Sequence, residues 1–196
     1  MNSSVEVANA ALTLFGDSAI TALTEDADRA RAIKKIYLPA LDARLRGHDW
    51  NFARMRAQLV EVDATPEFGY DYMFQLPQDP FCLRVLSTDL DELEAWELET
   101  YVTASAQYRV LVTDASTVEI KYIARVEDPT LWDASFADAF VLELARKAVY
   151  AITRNATLAA ELNAEADMMW KKARSVDGQE GRPLKSFLSN SFTRVR

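Results

Sequence analysis

Residues 108–145, with the sequence YRVLVTDASTVEIKYIARVEDPTLWDASFADAFVLELA, contain the clearest change of pattern in the chain. Apolar and polar residues alternate on both sides of a short polar break at residues 113–116, and this period of two predicts a β-hairpin. After Asp128 and Pro129 the spacing becomes helical, with apolar residues at Phe136, Ala139, Phe140, Leu144, Ala148 and Ile152. Because Val141, Leu142 and Ala145 fill the flanks, this helix is apolar nearly all round and is predicted to be the buried centre of a bundle.

Two helices are predicted before this stretch. Ser3 and Glu6 have the spacing of a capping box, which starts the first helix, and Gly16 is a natural end to it. The second helix is predicted to begin at Thr24 and to end at Gly47. Apolar stripes follow helical spacing at Val5, Ala8, Leu12 and Phe15 in the first helix and at Ile33, Ile36, Tyr37, Ala40, Leu41 and Leu45 in the second. Pro39 lies inside the second stripe and is expected to kink the helix or end it early.

Short strands are predicted in the middle of the chain. Alternating residues at 70–76 and 96–99, together with the apolar residues 82–86, indicate three strands. With the hairpin they make a sheet of about five antiparallel strands. After the central helix, which Asp133 or Ser135 caps, a last helix is predicted to start near Asn155 and to close at Gly178.

These elements predict an α+β fold. Each terminal pair of helices is too small to bury its stripe alone, so residues 1–60 and 126–177 are expected to pack together as one discontinuous antiparallel helical bundle. Residues 61–125 then form a small antiparallel β-domain inserted into the bundle. Residues 178–196 follow as an extended C-terminal arm.

Composition restricts the classes of function. The chain has 196 residues, 49% of them hydrophobic, and a net charge of −8, which argues against a surface that grips nucleic-acid phosphates. The single cysteine, Cys82, excludes an intramolecular disulfide and is expected to be a buried strand residue in a protein assembled in the cytosol. No secretory leader is expected, since residues 1–4 lead directly into an amphipathic helix, and no apolar run is long enough to span a membrane.

Candidate catalytic and metal-binding groups are weak. His48 has no serine or cysteine partner that the sequence singles out, so a surface or capping role is expected. The acidic residues Asp89, Asp91, Glu92 and Glu94 lack the glycine and the final glutamate of a calcium loop, and they predict a solvated turn. The pairs Glu92/Glu94 and Glu97/Glu99 leave a glycosidase open, although that chemistry needs two carboxyls at a fixed gap in a cleft. No catalytic residue, cofactor site or metal site is predicted.

The C-terminal arm combines basic and apolar residues on an acidic protein. Gly178, Gly181 and Pro183 interrupt regular structure there. The basic and apolar side chains are Arg182, Lys185, Phe187, Leu188, Phe192, Arg194 and Arg196. Either the segment is a frayed terminus or it is an arm that orders on a partner.

Several short phrases occur together along the chain. They are Asn9-Ala10-Ala11-Leu12 with Leu14-x-Gly16, the helix-end phrase at residues 48–53, Leu76-Pro77-x-Asp79, Cys82-Leu83-Arg84-Val85, Thr113-Asp114, Tyr122-Ile123, Asp128-Pro129, Phe136-x-Asp138-Ala139 and Ala173-Arg174. In order and spacing, across nearly the whole chain, this set resembles the tail tubular protein A family of short-tailed phages, which are head-to-tail adaptors. Pro80 and Phe81 intrude between two of these phrases, and residues 87–106 are unusually acidic.

The resemblance implies a structural virion protein without enzymatic activity or cofactor. Members of the family form a ring of copies, usually a dodecamer, between the portal protein and the tail nozzle protein, and DNA passes through the channel without specific binding. The helical part and the C-terminal arm face the portal, and the β-domain faces the nozzle, so the seven arm residues named above are the expected portal-docking residues. The protein is thus expected at the head–tail interface of the virion, and in the host cytoplasm during assembly, with no membrane partner. The alternatives are a tail-associated cell-wall hydrolase and a cytosolic oligomeric binding module.

A ring of identical subunits needs two different side surfaces that meet head to tail. Charged residues on the helices are either a solvated face or groups that pair across neighbouring copies. They are Arg29, Arg31, Lys34, Lys35, Asp42, Arg44 and Arg46 on one helix and Glu161, Glu165, Asp167, Lys171, Lys172 and Arg174 on another.

Overall fold

A computed structural model describes residues 1–104 and 106–180 of the chain. In these residues the fold is mixed α+β, with four α-helices and seven strands. The helices are α1 Ser4–Thr13, α2 Asp28–Arg46, α3 Ala134–Thr153 and α4 Ala156–Gln179. The strands are β1 Arg54–Gln58, β2 Val60–Glu61, β3 Tyr72–Gln75, β4 Cys82–Thr88, β5 Trp96–Val102, β6 Gln107–Thr113 and β7 Glu119–Ala124. Single 3-10 turns at Asn51–Ala53 and Pro129–Leu131 lead into β1 and towards α3.

Side-chain caps set three of the helix starts. The Ser3 hydroxyl accepts the N–H of Glu6, as the capping-box spacing predicts, although the Glu6 carboxylate accepts from the N–H of Asn2 rather than from that of Ser3. Asp133 caps α3 by accepting the N–H groups of Ser135 and Phe136. Asn155 caps α4 in the same way. These caps satisfy N–H groups that a helix cannot pair internally.

Three predicted helix boundaries are wrong. Helix α2 begins at Asp28 rather than at Thr24. Pro39 neither ends α2 nor divides it, because the buried residues Tyr37, Ala40 and Leu41 on either side of it hold the helix in the core. Gly178 does not close α4, which continues to Gln179.

Helix α3 lies at the centre of the helical part and contacts α1, α2 and α4. Phe136 and Phe140 on this helix are fully buried. Around them lies an aromatic cluster that also contains Tyr37, Trp50, Phe52, Trp132 and Trp170. The cluster joins side chains from both ends of the sequence, and Trp50 and Phe52 attach the segment after α2 to the helical core.

The strands form two antiparallel sheets, with the orders β1-β7-β4 and β2-β3-β6-β5. The predicted hairpin of β6 with β7 is therefore wrong, and so is the single sheet of about five strands. Strand β6 pairs with β3 and β5, whereas β7 pairs with β1 and β4. An alternation with a period of two identifies strands but not their partners. Strand β6 is apolar on both faces, since Leu111 and Val112 are both fully buried, so its sequence does not favour one pairing over another.

The two sheets face each other across a second core. Phe74 and Leu111 from one sheet meet Ile120 and Tyr122 from the other, and Cys82 lies among them. On the opposite face of the β1-β7-β4 sheet, Leu83 and Ile123 join the helical core. No helix in the described part of the chain is long and apolar enough to cross a membrane.

Candidate interaction surfaces

Charged side chains attach the sheets to helix α2. The Arg125 guanidinium donates to both carboxylate oxygens of Asp42, with Nε–Oδ1 and Nη2–Oδ2 distances of 2.7 and 2.5 Å. Arg46 donates to the carbonyl of Leu83, and Arg84 pairs with Asp49. Two-point contact between a guanidinium and a carboxylate fixes orientation as well as distance. The β-part is therefore held against the helices at a defined angle.

Glu143 connects three helices from inside the protein. Its side chain is almost fully buried on α3, and its Oε2 accepts from Nη2 of Arg44 at 2.6 Å, from Nε of Arg146 at 2.7 Å and from the Trp170 indole at 3.1 Å. Burial alone would raise the pKa of this carboxyl. Hydrogen bonds from Arg146 and Arg44, and their positive charges, outweigh burial and hold the pKa of Glu143 below its ordinary value.

Asp177 makes a second buried polar contact near the end of α4. One carboxylate oxygen accepts the backbone N–H of Asn51 at 2.8 Å, and the other lies 3.0 Å from Nε2 of His48. The Asn51 side-chain amide donates to the Asp177 carbonyl at 2.6 Å. His48 thus contacts a buried carboxylate more than 120 residues away and caps no helix end, unlike the surface or capping role expected from the sequence. These contacts fasten the last described turn of the chain to the segment between α2 and β1.

Replacing Asp177 with alanine is expected to lower the free energy of unfolding by about 2 kcal/mol, because the buried Asn51 N–H and His48 lose their acceptor. Replacement with asparagine keeps one acceptor oxygen and should cost about half as much. Urea unfolding followed by circular dichroism measures both variants. Equal stability of the alanine variant and the wild type would show that this contact does not hold α4.

The predicted portal-docking residues lie outside the described residues. This applies to Arg182, Lys185, Phe187, Leu188, Phe192, Arg194 and Arg196 alike. The described chain ends at Glu180, shortly after Asp177.

Many of the helix charges expected to pair across copies are paired inside the chain. Arg29 contacts Glu25, and Arg31 contacts Asp26 and Asp28. Asp42, Arg44 and Asp167 have the internal partners Arg125, Glu143 and Arg146. The exposed lysines of the two helices, Lys34, Lys35, Lys171 and Lys172, make no ion pair with described residues. Ion pairs between copies would therefore use charges that have no partner among the described residues of their own chain, such as these lysines.

The remaining candidates for chemistry are placed as follows. Glu92, Glu94, Glu97 and Glu99 are exposed along the loop before β5 and on β5 itself, which is an edge strand. Among residues 1–104 and 106–180, no three His, Cys, Asp or Glu side chains are grouped to hold a metal ion. Cys82 is buried in β4 as predicted, and burial raises the pKa of its thiol to about 11, so the reactive thiolate is disfavoured at neutral pH.

Sequence reasoning missed both buried acids as structural groups. For Glu143 a signal exists, because a carboxylate placed among Val141, Leu142 and Leu144 in a helix that is apolar nearly all round must find partners. Asp177 gives no such signal, since it lies in the polar end of α4 and its partners are distant in sequence.

A comparison with protein-family models matches none of them, and a search of curated proteins finds no significant match.

Proposed function

We propose that this protein is a phage head-to-tail adaptor, a structural virion protein whose copies form a ring between the portal and the tail nozzle. In this proposal the four helices form an antiparallel bundle from both ends of the chain, the sheets form the inserted β-domain, and residues 181–196, which follow α4, form the docking arm. DNA passes through the channel of the ring during ejection.

The observation that carries the proposal is that the buried ionic groups join the two ends of the chain. Glu143 and Asp177 are both directed into contacts between the N-terminal and C-terminal parts of the chain, through Arg44 in one case and through His48 and Asn51 in the other. Such contacts close the body of the protein and leave its outer faces for neighbours. An adaptor needs a closed body of this kind, because its function is to keep a fixed position relative to neighbouring chains.

Charge supports the same function. The last sixteen residues contain four basic and no acidic side chains, so the acidic excess of the protein lies entirely in residues 1–180. A basic segment on an acidic body favours encounter with an acidic docking site and fixes the register of binding. An acidic channel wall would repel DNA weakly and hold it nowhere.

The proposal is tested by mixing the purified protein with purified portal proteins of short-tailed phages. Analytical ultracentrifugation and negative-stain images should show a ring of this protein bound to one end of the portal. The protein should form a ring, alone or with the portal, at about 100 µM, where even a weak contact of about −5.5 kcal/mol is half-occupied. Failure to do so would contradict the adaptor function.

Removal of residues 181–196 is expected to abolish portal binding and to leave the fold intact. The cut follows Glu180 because the hydrogen bonds of Asp177, and the helix turn after it, are then kept. Circular dichroism and thermal unfolding report the fold, and sedimentation with the portal reports binding. Normal portal binding by the truncated protein would show that docking uses another surface.

Two full-length variants separate the contribution of the arm's basic side chains from that of its apolar side chains. Changing Arg182, Lys185, Arg194 and Arg196 to glutamine should mainly slow association, because long-range charge acts on encounter. Changing Phe187, Leu188 and Phe192 to serine should mainly speed dissociation, because buried apolar anchors hold a complex together.

A further inference from the structure

Strand β5 has a free edge. It lies at the end of the order β2-β3-β6-β5 and pairs only with β6 among the described strands. It is seven residues long and contains no proline, and its apolar residues Leu98 and Val102 are 43% and 59% exposed. A long edge strand with exposed apolar side chains is a template for a further strand, and proteins usually cover or protect such an edge.

The backbone groups on this edge are placed to pair with one more strand. The N–H of Leu76, next to β3, donates to the carbonyl of Arg109, which lies directly opposite Thr100. Because the backbone groups of successive strand residues point to alternate sides, Arg109 bonds towards β3 and does not bond Thr100. The N–H and C=O groups of Thr100, and of Leu98 two residues before it, therefore point away from β6. An incoming antiparallel strand can bond both residues.

The outer face of β5 carries two carboxylates without a cation. Glu97 and Glu99 lie beside Val112 and Val110 of β6, which are fully buried. Neither carboxylate makes an ion pair with a residue in 1–104 or 106–180. After the larger effect of partial burial, both carboxylates raise the pKa of the Tyr70 hydroxyl, as uncompensated negative charge does. A strand that covers this edge should therefore bring positive charge to this face.

Residues 192–196 have the complementary pattern. This segment, with the sequence FTRVR, lies outside the described residues. Phe192, Thr193 and Val195 belong to the residue types that favour strands. In an extended segment Phe192, Arg194 and Arg196 share one face, and Thr193 and Val195 share the other.

One antiparallel register of this segment with β5 matches every facing pair. The pairs are Glu97–Arg196, Leu98–Val195, Glu99–Arg194, Thr100–Thr193 and Tyr101–Phe192. Opposite charges, paired aromatic rings and paired threonines are the cross-strand neighbours that stabilise antiparallel sheets. A shift by one residue moves both arginines to the other face of the sheet and removes both ion pairs.

We infer that residues 192–196 add to the free edge of β5 of their own chain as an antiparallel strand in this register. Residues 181–191 connect the segment to the body, and these eleven residues span up to about 36 Å. That reach exceeds twice the radius of gyration of a compact body of this size, which is about 16 Å. An edge in the same chain also meets the segment at a high effective concentration. While it is paired, the segment is unavailable to another protein.

Amide hydrogen exchange in the full-length protein tests the added strand. The amides of Leu98 and Thr100 should exchange slowly in the wild type and about tenfold faster or more in R194E/R196E, because two opposite-charge pairs become like-charge pairs. The variant E97K/E99K should show the same acceleration. The four changes together restore opposite charges and should restore slow exchange.

Two control variants make the same change of charge nearby. R182E/K185E alters the arm outside the pairing segment, and E92K/E94K alters the exposed loop before β5. Both should leave the exchange of the Leu98 and Thr100 amides as in the wild type. Equal exchange in the wild type and R194E/R196E would overturn the inference, and so would an equal acceleration in R182E/K185E.

Cysteine cross-linking tests the register. Thr100→Cys/Thr193→Cys should close a disulfide within one chain under mild oxidation, because facing residues of an antiparallel pair have Cα atoms about 5.5 Å apart. Thr100→Cys/Val195→Cys moves the second thiol two residues along the same face, beyond the reach of a disulfide, and should stay open. The native Cys82 is buried and is kept in both variants. Non-reducing gel electrophoresis separates the closed monomer from a dimer.

The cross-linking outcomes are distinct from a failure of the adaptor function. Equally rapid closure of both cysteine pairs would refute the register, and a disulfide-linked dimer would refute pairing within one chain. None of these measurements uses the portal. The contact on β5 therefore goes beyond the proposed function and stands or fails independently of it.

Discussion

Replacing Glu143 with alanine is expected to destabilise the protein by about 3–5 kcal/mol, because it leaves buried positive charges without their partner. Arg44 and Arg146 both direct a nitrogen at the same carboxylate oxygen, and the Trp170 indole donates to that oxygen as well. Lys147 lies 3.6 Å from the other oxygen. One substitution thus removes contacts from α2, α3 and α4 together. Urea unfolding, read by far-ultraviolet circular dichroism, gives the free-energy change.

Two substitutions control this measurement. Glu143→Gln keeps an acceptor oxygen but loses the charge, so it should fall between the wild type and the alanine variant. Glu165→Ala removes an exposed carboxylate from α4 and should change stability by no more than about 0.5 kcal/mol. Equal effects of Glu143→Ala and Glu165→Ala would refute the role given to the buried carboxylate.

The same contact predicts how stability depends on pH. The pKa of Glu143 is lower in the folded protein than in the unfolded chain. The unfolded chain therefore takes up a proton first as pH falls, and the stabilisation from this group is complete above the ordinary pKa of about 4.3 and decreases below it. The Glu143→Gln variant should lose less stability than the wild type between about pH 5 and pH 3.

Phe136→Ala is expected to cost about 3–5 kcal/mol, because it opens a cavity at the centre of the aromatic cluster. The Phe136 ring is fully buried and lies 4.9 Å from the ring centres of both Trp50 and Phe52. Trp132 and Trp170 are 5.3 and 5.4 Å away. For a chain of this size the midpoint of thermal unfolding should fall by about 10 °C.

Phe68→Ala is the matched control for this cavity. The same substitution is made there on a side chain that is 87% exposed, and stability should change by no more than about 0.5 kcal/mol. Differential scanning calorimetry measures both variants. A midpoint for Phe136→Ala within a degree or so of that of Phe68→Ala would mean that the cluster does not hold the two ends of the chain together.

The helical spacing of apolar residues and the N-terminal capping residues were enough to predict that the helices exist, although not all of their ends. The apolar spacing around Phe136 gave α3 its central place, and Ser3 and Asn155 mark the starts of α1 and α4. Strand pairing could not be predicted, because Leu111 and Val112 make both faces of β6 equally apolar. Strand β1 was missed although Met55 and Ala57 alternate with polar residues, since its arginines make it resemble a loop.

The contacts between sequence ends were beyond prediction for a different reason. The pairs Arg44–Glu143 and Asn51–Asp177 join residues about a hundred positions apart, and no local pattern selects one carboxylate among thirty acidic residues. The register of β1 with β7, which places Arg56 beside Lys121, also joins residues that are distant in sequence.

The aromatic cluster also determines which part of the protein its tryptophan fluorescence reports on. Trp50, Trp132 and Trp170 all contact Phe136, whereas Trp96 packs against the core between the sheets. Three of the four indoles therefore emit from the helical part and one from the β-part. A Trp96→Phe variant would fluoresce from the helical part alone, so comparing its unfolding curve with that of the wild type separates the unfolding of the two parts.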